Sequence, residues 1–136
     1  DNSIVPCGYE DPRIFNWKGE KWIIAYKRNS EVFRGFKHKI VIFSINNPDK
    51  EIYLDYNRRQ IIEKNWMPFE YKDKLLIIYS FNPYIVLEVS ENGKCSEIIR
   101  EKKKLSDIKL DVGLGTPPIR INENSFLLLP WCWRGG

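Results

Sequence analysis

Asn65-Trp66-Met67-Pro68-Phe69-Glu70-Tyr71-Lys72-Asp73-Lys74-Leu75-Leu76-Ile77-Ile78 decides how this chain folds. A polar, proline-bearing opening runs into a short strand from Met67 to Tyr71. A polar turn at Lys72-Asp73 follows, then an apolar strand from Lys74 to Ser80. The same order occurs upstream in Asp11-Pro12-Arg13-Ile14-Phe15-Asn16-Trp17-Lys18-Gly19-Glu20-Lys21-Trp22-Ile23-Ile24. It occurs again downstream in Thr116-Pro117-Pro118-Ile119-Arg120-Ile121-Asn122-Glu123-Asn124-Ser125-Phe126-Leu127-Leu128. The three apolar strands begin at Trp22, Leu75 and Phe126, a repeat of roughly 50 residues.

Outward from these hairpins the pattern stays that of short strands. Arg13 to Trp17 and Lys21 to Lys27 form the first hairpin. Lys39 to Ile45 follows, closed by the turn cluster Asn46-Asn47-Pro48-Asp49, and then Glu51 to Tyr56. After the second hairpin come Ile85 to Val89, the turn Glu91-Asn92-Gly93-Lys94, and Cys95 to Arg100. The last pair is Pro118 to Ile121 with Ser125 to Trp131. Helical signal is confined to Gln60–Lys64, which is too short to matter, and to the charged, weakly periodic Arg100–Lys109. Many short strands without crossover helices predict an all-β, antiparallel fold. Four strands per repeat at this spacing are those of a β-propeller blade. The expectation is a single partial propeller domain over residues 1–136. Its blades span approximately 11–63 and 64–112, with the first hairpin of a third at 113–136. A β-sandwich of unrelated hairpins is the competing fold, and it does not require proline-bearing openings at equal intervals.

Two blades and a hairpin cannot close a ring, and repeat units are stabilised mainly by their neighbours. A longer chain supplying the missing blades, or an oligomeric partner, is therefore expected. The start at Asp1 without Met fits a fragment.

Bulk composition agrees. The 136 residues are 43% hydrophobic, 29% charged and 14% aromatic, which suits a packed core on pleated surfaces. The net charge of +4 is too mild for a dedicated nucleic-acid partner. Lys102-Lys103-Lys104 reads as a solvated turn between Glu101 and Asp107. Three cysteines (Cys7, Cys95, Cys132) lack metal-like spacing and suit a reducing compartment. No apolar run of ~18 residues and no leader is visible, so a cytoplasmic protein without a membrane partner is expected.

In a propeller the innermost strands of all blades surround one channel, so residues far apart in sequence converge at their beginnings. Those beginnings are Glu10-Asp11-Pro12-Arg13, Glu63-Lys64-Asn65-Trp66-Met67-Pro68-Phe69 and Gly113-Leu114-Gly115-Thr116-Pro117-Pro118. Carboxylates can move protons to glycosidic oxygens, Arg and Lys hold anions, and Trp lies against a pyranose face. Each residue also has a plainer use. Asp11 can close an Asx-turn, Arg13 can pair with Glu10 or Asp11, and Lys64 and Asn65 can shape a tight strand start. Trp66 can be core, and Thr116 can serve a stiff extended segment before Pro117-Pro118. A shared pocket requires Asp11, Arg13, Lys64 and Asn65 to meet within ~10 Å.

At these residues the sequence resembles a family. Gly8-Tyr9-Glu10-Asp11-Pro12-Arg13-Ile14 is similar to the "EDPR" segment of the five-bladed propellers that include inverting β-mannoside phosphorylases and related β-mannosyltransferases. Glu63 to Phe69, Tyr79-Ser80-Phe81-Asn82-Pro83-Tyr84 and Gly115-Thr116-Pro117-Pro118 resemble further marks of that superfamily, in the same order. The resemblance implies a glycoside-active site with Asp11 as general acid and Arg13 and Lys64 as phosphate ligands. Such enzymes commonly carry a histidine soon after the "GTPP" segment, where this chain has Pro130-Trp131-Cys132-Trp133; its histidine is His38.

The resulting expectation is inverting glycosyl transfer, phosphorolysis or hydrolysis of β-mannoside-like glycosides. Asp11 would be catalytic, with Arg13, Lys64, Asn65, Trp66 and Thr116 binding an oligosaccharide or sugar phosphate. No metal or cofactor is expected, although inorganic phosphate can serve as co-substrate. The alternatives are a non-catalytic carbohydrate-binding propeller and a protein-interaction propeller.

Overall fold

The computed structural model describes residues 8–27, 39–59, 65–101, 111–113 and 115–133. Lys64, His38, the Lys102–Lys104 run and the weak helical signal at Gln60–Lys64 lie outside them. Among the described residues the structure is all-β, with no helix. Two four-stranded antiparallel meanders dominate. The first comprises β1 (Tyr9–Trp17), β2 (Glu20–Lys27), β3 (Lys39–Ser44) and β4 (Asn47–Leu54), in that spatial order. The second comprises β5 (Met67–Tyr71), β6 (Lys74–Phe81), β7 (Tyr84–Val89) and β8 (Cys95–Glu101), again in chain order. Two smaller pairs follow: β10 (Ile119–Asn122) with β11 (Ser125–Leu127), and β9 (Asp111–Gly113) with β12 (Trp131–Trp133).

Turn chemistry sets the hairpins. Lys18 and Gly19 at φ 52° and 72°, and Lys72 and Asp73 at φ 49° and 60°, are left-handed at both central positions. That is the type I′ geometry whose twist matches the flanking strands. The registers Trp17↔Glu20 and Tyr71↔Lys74 follow directly.

Three expectations are corrected. The strand expected over Glu51–Tyr56 begins at Asn47 and ends at Leu54, with only Ile45-Asn46 turning. Pro48 is tolerated because β4 is an edge strand, where a missing N–H breaks no ladder. The run expected from Ser125 to Trp131 divides at Leu128–Pro130. Leu129 O there accepts from Thr116 N at 3.3 Å, and the chain resumes as β12 against β9, a strand the sequence pattern did not announce. Gly115 permits that close approach, since a Cβ on it would lie 1.9 Å from Leu129 O. Finally, the first strand starts at Tyr9 rather than Arg13, across a bulge considered below.

Side chains alternate across each sheet, and the buried ones assemble two cores. Phe15, Trp17, Ile24, Tyr26, Ile40, Ile42 and Leu54 of the first meander meet Leu75, Ile77, Ile85, Leu87 and Val89 of the second in one cluster, closed by Tyr56, Trp66 and Cys95. The opposite face of the second meander carries Met67, Leu76, Ile78 and Val86, with Phe69, Tyr71 and Leu128 against them. Phe126 of β11 stands edge-on to Phe69 at 5.0 Å. The second meander is thus covered on one face by the first meander and on the other by the β10–β11 hairpin. Strands β1 and β5, the first of each meander, lie in contact.

The far ends of the meanders are tied as well. Asp55 and Lys94 form a parallel bridge, and Cys95 N donates to Asp55 O at 2.8 Å. Gly93 sits at φ 84° where a Cβ would come within 2.1 Å of Tyr53 O, so only glycine lets the two chains pass.

Candidate functional site

The site begins with a local irregularity in β1. Glu10 pairs with Tyr26 and Arg13 with Ile24, so Asp11 and Pro12 together oppose Ala25. Two residues against one is a β-bulge. Asp11 takes φ 50°, a left-handed conformation that Asp tolerates better than most residues. The following proline disfavours the right-handed helical alternative at that position. From Arg13 to Trp17 the in-out alternation is regular, so Arg13 shares the inward face of Phe15 and Trp17, opposite Ile24, and points into the interface between the sheets. The bulge resets the alternation before Arg13 and brings Glu10 level with Tyr26.

Asn65 arrives from the other side. It stands just before β5, half-buried, at φ 64°. Arg13 Nη2 donates to Asn65 Oδ1 at 2.5 Å, across 52 residues of sequence. The guanidinium is partly buried, and this desolvation lowers its pKa, while the negative charge of Asp11 acts in the opposite sense. Arginine nevertheless stays charged at any pH of interest. Its Nη1 is buried and has no hydrogen-bond partner among the described residues. A small cleft of about 20 Å³ is lined by Asp11, Arg13, Ile24, Ala25, Tyr26, Ile40, Asn65 and Trp66. That is room for about one water-sized group.

Of the residues singled out from sequence, Asp11, Arg13, Asn65 and Trp66 are brought to this one cleft; Lys64 lies outside the described residues. Trp66 is 2% exposed, with its ring edge-on to Tyr79 at 5.4 Å. It forms the floor of the cleft and offers no open face for stacking. Thr116 goes elsewhere. Exposed beside Pro117 and Pro118, it lines a larger groove of about 560 Å³ with Ile14, Asn16, Phe69 and Glu70, farther along β1 and β5. Tyr26, Ala25 and Ile40 complete the cleft unannounced. No motif marks them, and only the register of β2 and β3 on the bulged β1 brings them there.

Among the described residues no group of three or more His, Cys, Asp or Glu side chains could hold a metal ion. The arrangement is one exposed carboxylate, one partly buried cation and one amide beside a recess otherwise lined by Ile24, Ala25, Tyr26, Ile40 and Trp66. Chemically it can present an acid beside an anion-binding donor.

Fold and recess together define an all-β protein of stacked four-stranded meanders with a cleft where their first strands meet. The sequence is similar to Beta-mannosyltransferase 2 from two strains of Komagataella phaffii. In both the identity is 30% over 125 residues, covering 85% of this chain and 19% of the relative. The chain therefore spans about a fifth of the length of the curated relatives it matches. No family model matches the sequence, and no solved structure matches it.

Proposed function

We propose that this chain is part of a carbohydrate-active five-bladed propeller that transfers or cleaves a β-mannoside-like glycosyl unit with inversion. The meanders would be successive blades, with β1, β5 and β10 facing the channel. Asp11 donates the proton to the departing oxygen, directly or through a substrate hydroxyl. Arg13, with Lys64, holds an incoming phosphate or a phosphorylated donor; Asn65 and Thr116 contribute polar contacts to the substrate. An inverting displacement leaves space between the acid and the attacking group, and a phosphate nucleophile brings its own negative oxygen and needs no second carboxylate base.

The observation that carries this reading is the meeting of the two strand beginnings. Arg13 and the left-handed Asn65, 52 residues apart, are hydrogen-bonded at the cleft that Asp11 also lines, and Arg13 Nη1 has no partner among the described residues. Residues in left-handed backbone concentrate where geometry is held for function. The similarity to a β-mannosyltransferase supports the same substrate class.

The test is turnover by the full-length protein on a panel of β-mannosides with and without phosphate, and on mannose-1-phosphate with mannoside acceptors. Loss of a general acid typically costs 10²–10⁴-fold, so Asp11→Asn is expected to fall by about that factor. Equal rates for the two proteins would remove Asp11 from the mechanism. Glycan binding without turnover in either protein would leave a binding module.

A further inference from the structure

We infer that Asn65 is a positioning residue for Arg13: its side-chain carbonyl, presented from a left-handed backbone, fixes the guanidinium so that Nη1 remains the donor for an anionic oxygen of the substrate, a phosphoryl group first. This rests on the anion-using reading above and gives Asn65 a role toward the arginine besides its contact with the substrate.

Three observations lead there. The Oδ1 of Asn65 accepts from Arg13 Nη2 at 2.5 Å, a bond that ties the guanidinium to the beginning of the second meander. The backbone at φ 64° is one that asparagine and glycine adopt with little penalty. Of those two, only asparagine also supplies an acceptor. Lastly, Nη1 is buried and has no partner among the described residues. A buried donor without a partner is costly, more so when charged, and a guanidinium held at one end can offer its other end without further ordering. Arg13 itself lies on the inward face it shares with Phe15 and Trp17, so an element of each meander orients one cation.

The backbone and side-chain parts of this role separate experimentally. Asn65→Gly keeps the left-handed conformation and deletes the acceptor. Asn65→Asp keeps an acceptor oxygen but places a negative charge against the cation. In the full-length protein, binding of inorganic phosphate and of mannose-1-phosphate is measured by calorimetry. Rotation of the Arg13 guanidinium is followed by nitrogen NMR, and the thermal midpoint is recorded. Asn65→Gly is expected to stay folded with its thermal midpoint lowered by several degrees, since Nη2 loses its acceptor, to lose the slow rotation at Arg13, and to bind both ligands about tenfold more weakly or worse. Asn65→Asp is expected to keep the slow rotation and still lose affinity. Wild-type affinity and slow rotation in Asn65→Gly would overturn the inference alone, leaving Asn65 a backbone device. Undiminished binding in Arg13→Gln would overturn the anion-using reading and the inference with it.

Discussion

At the scale of single residues, Glu97 shows how the cleft is supported from a distance. It accepts from Arg100 Nε at 2.7 Å and Nη2 at 2.9 Å and from Tyr56 Oη at 2.5 Å. Arg100 first, and Tyr56 after it, pull its pKa down to about 2. The Tyr56 ring packs edge-on to Tyr79 at 4.8 Å, and Tyr79 meets Trp66, the cleft floor. The cluster thus ties the last strand of the second meander to the chain leaving the first. The unfolded glutamate titrates near ~4.3. Between that value and about 2 the unfolded chain binds a proton that the folded protein does not. The stabilisation is therefore complete above the unfolded value and is lost as pH falls through the folded one. Glu97→Gln is expected to cost about 1–2 kcal/mol at pH 7 and to converge on wild type as pH approaches about 2. Denaturant midpoints across that range measure it, and a pH-independent gap would refute the assignment.

Among elements, the β5–β6 hairpin invites a test because its turn is held by residues poorly suited to it. Lys72 and Asp73 both have left-handed backbones, where Asn-Gly is the preferred pair. Replacing them with Asn-Gly keeps the Tyr71↔Lys74 register and is expected to raise stability by about 0.5–2 kcal/mol. A lowered unfolding midpoint would mean the turn is not type I′ in solution. This hairpin also marks what sequence could deliver. Met67–Tyr71 appears with the bounds read from its pattern, because a proline-bearing opening and a charged turn frame an apolar run. The short strands β9 and β12 were hidden: three residues carry no periodicity, and their pairing comes from Trp131 and Gly113 meeting in space. The candidate cleft was legible by residue type, since Asp11, Arg13 and Asn65 stand at the repeat openings. Its geometry was not. Alternation back from Trp17 and Phe15 already puts Arg13 on the inward face, but the bulge that sets Asp11 and Pro12 together opposite Ala25 does not show in the apolar pattern. Trp66 is the converse case, since composition cannot tell an aromatic platform from an aromatic floor.

For the whole molecule, the decisive feature is that one core serves two sheets. Ile42 of β3 and Leu87 of β7 are both 0% exposed and belong to the same cluster, and Arg13–Asn65 crosses the same interface. Neither meander can open that face alone without exposing the other, so the two should unfold as a unit. The β10–β11 hairpin differs. Ile119 is 54% and Ile121 64% exposed, and contact with the second meander runs mainly through Phe126 and Leu128. Ile42→Ala and Leu87→Ala are each expected to cost ~2–5 kcal/mol. More tellingly, Ile42→Ala should speed amide hydrogen exchange in β6 and β7 as much as in β2 and β3, because a cooperative unit loses stability everywhere at once. The β10–β11 amides should already exchange faster than either meander in the wild-type protein and change little in the variant. If Ile42→Ala left β6 and β7 at wild-type protection, the meanders would be separate folding units. The cleft between them would then be a contact that forms and breaks, unable to hold Arg13 ready beside Asp11.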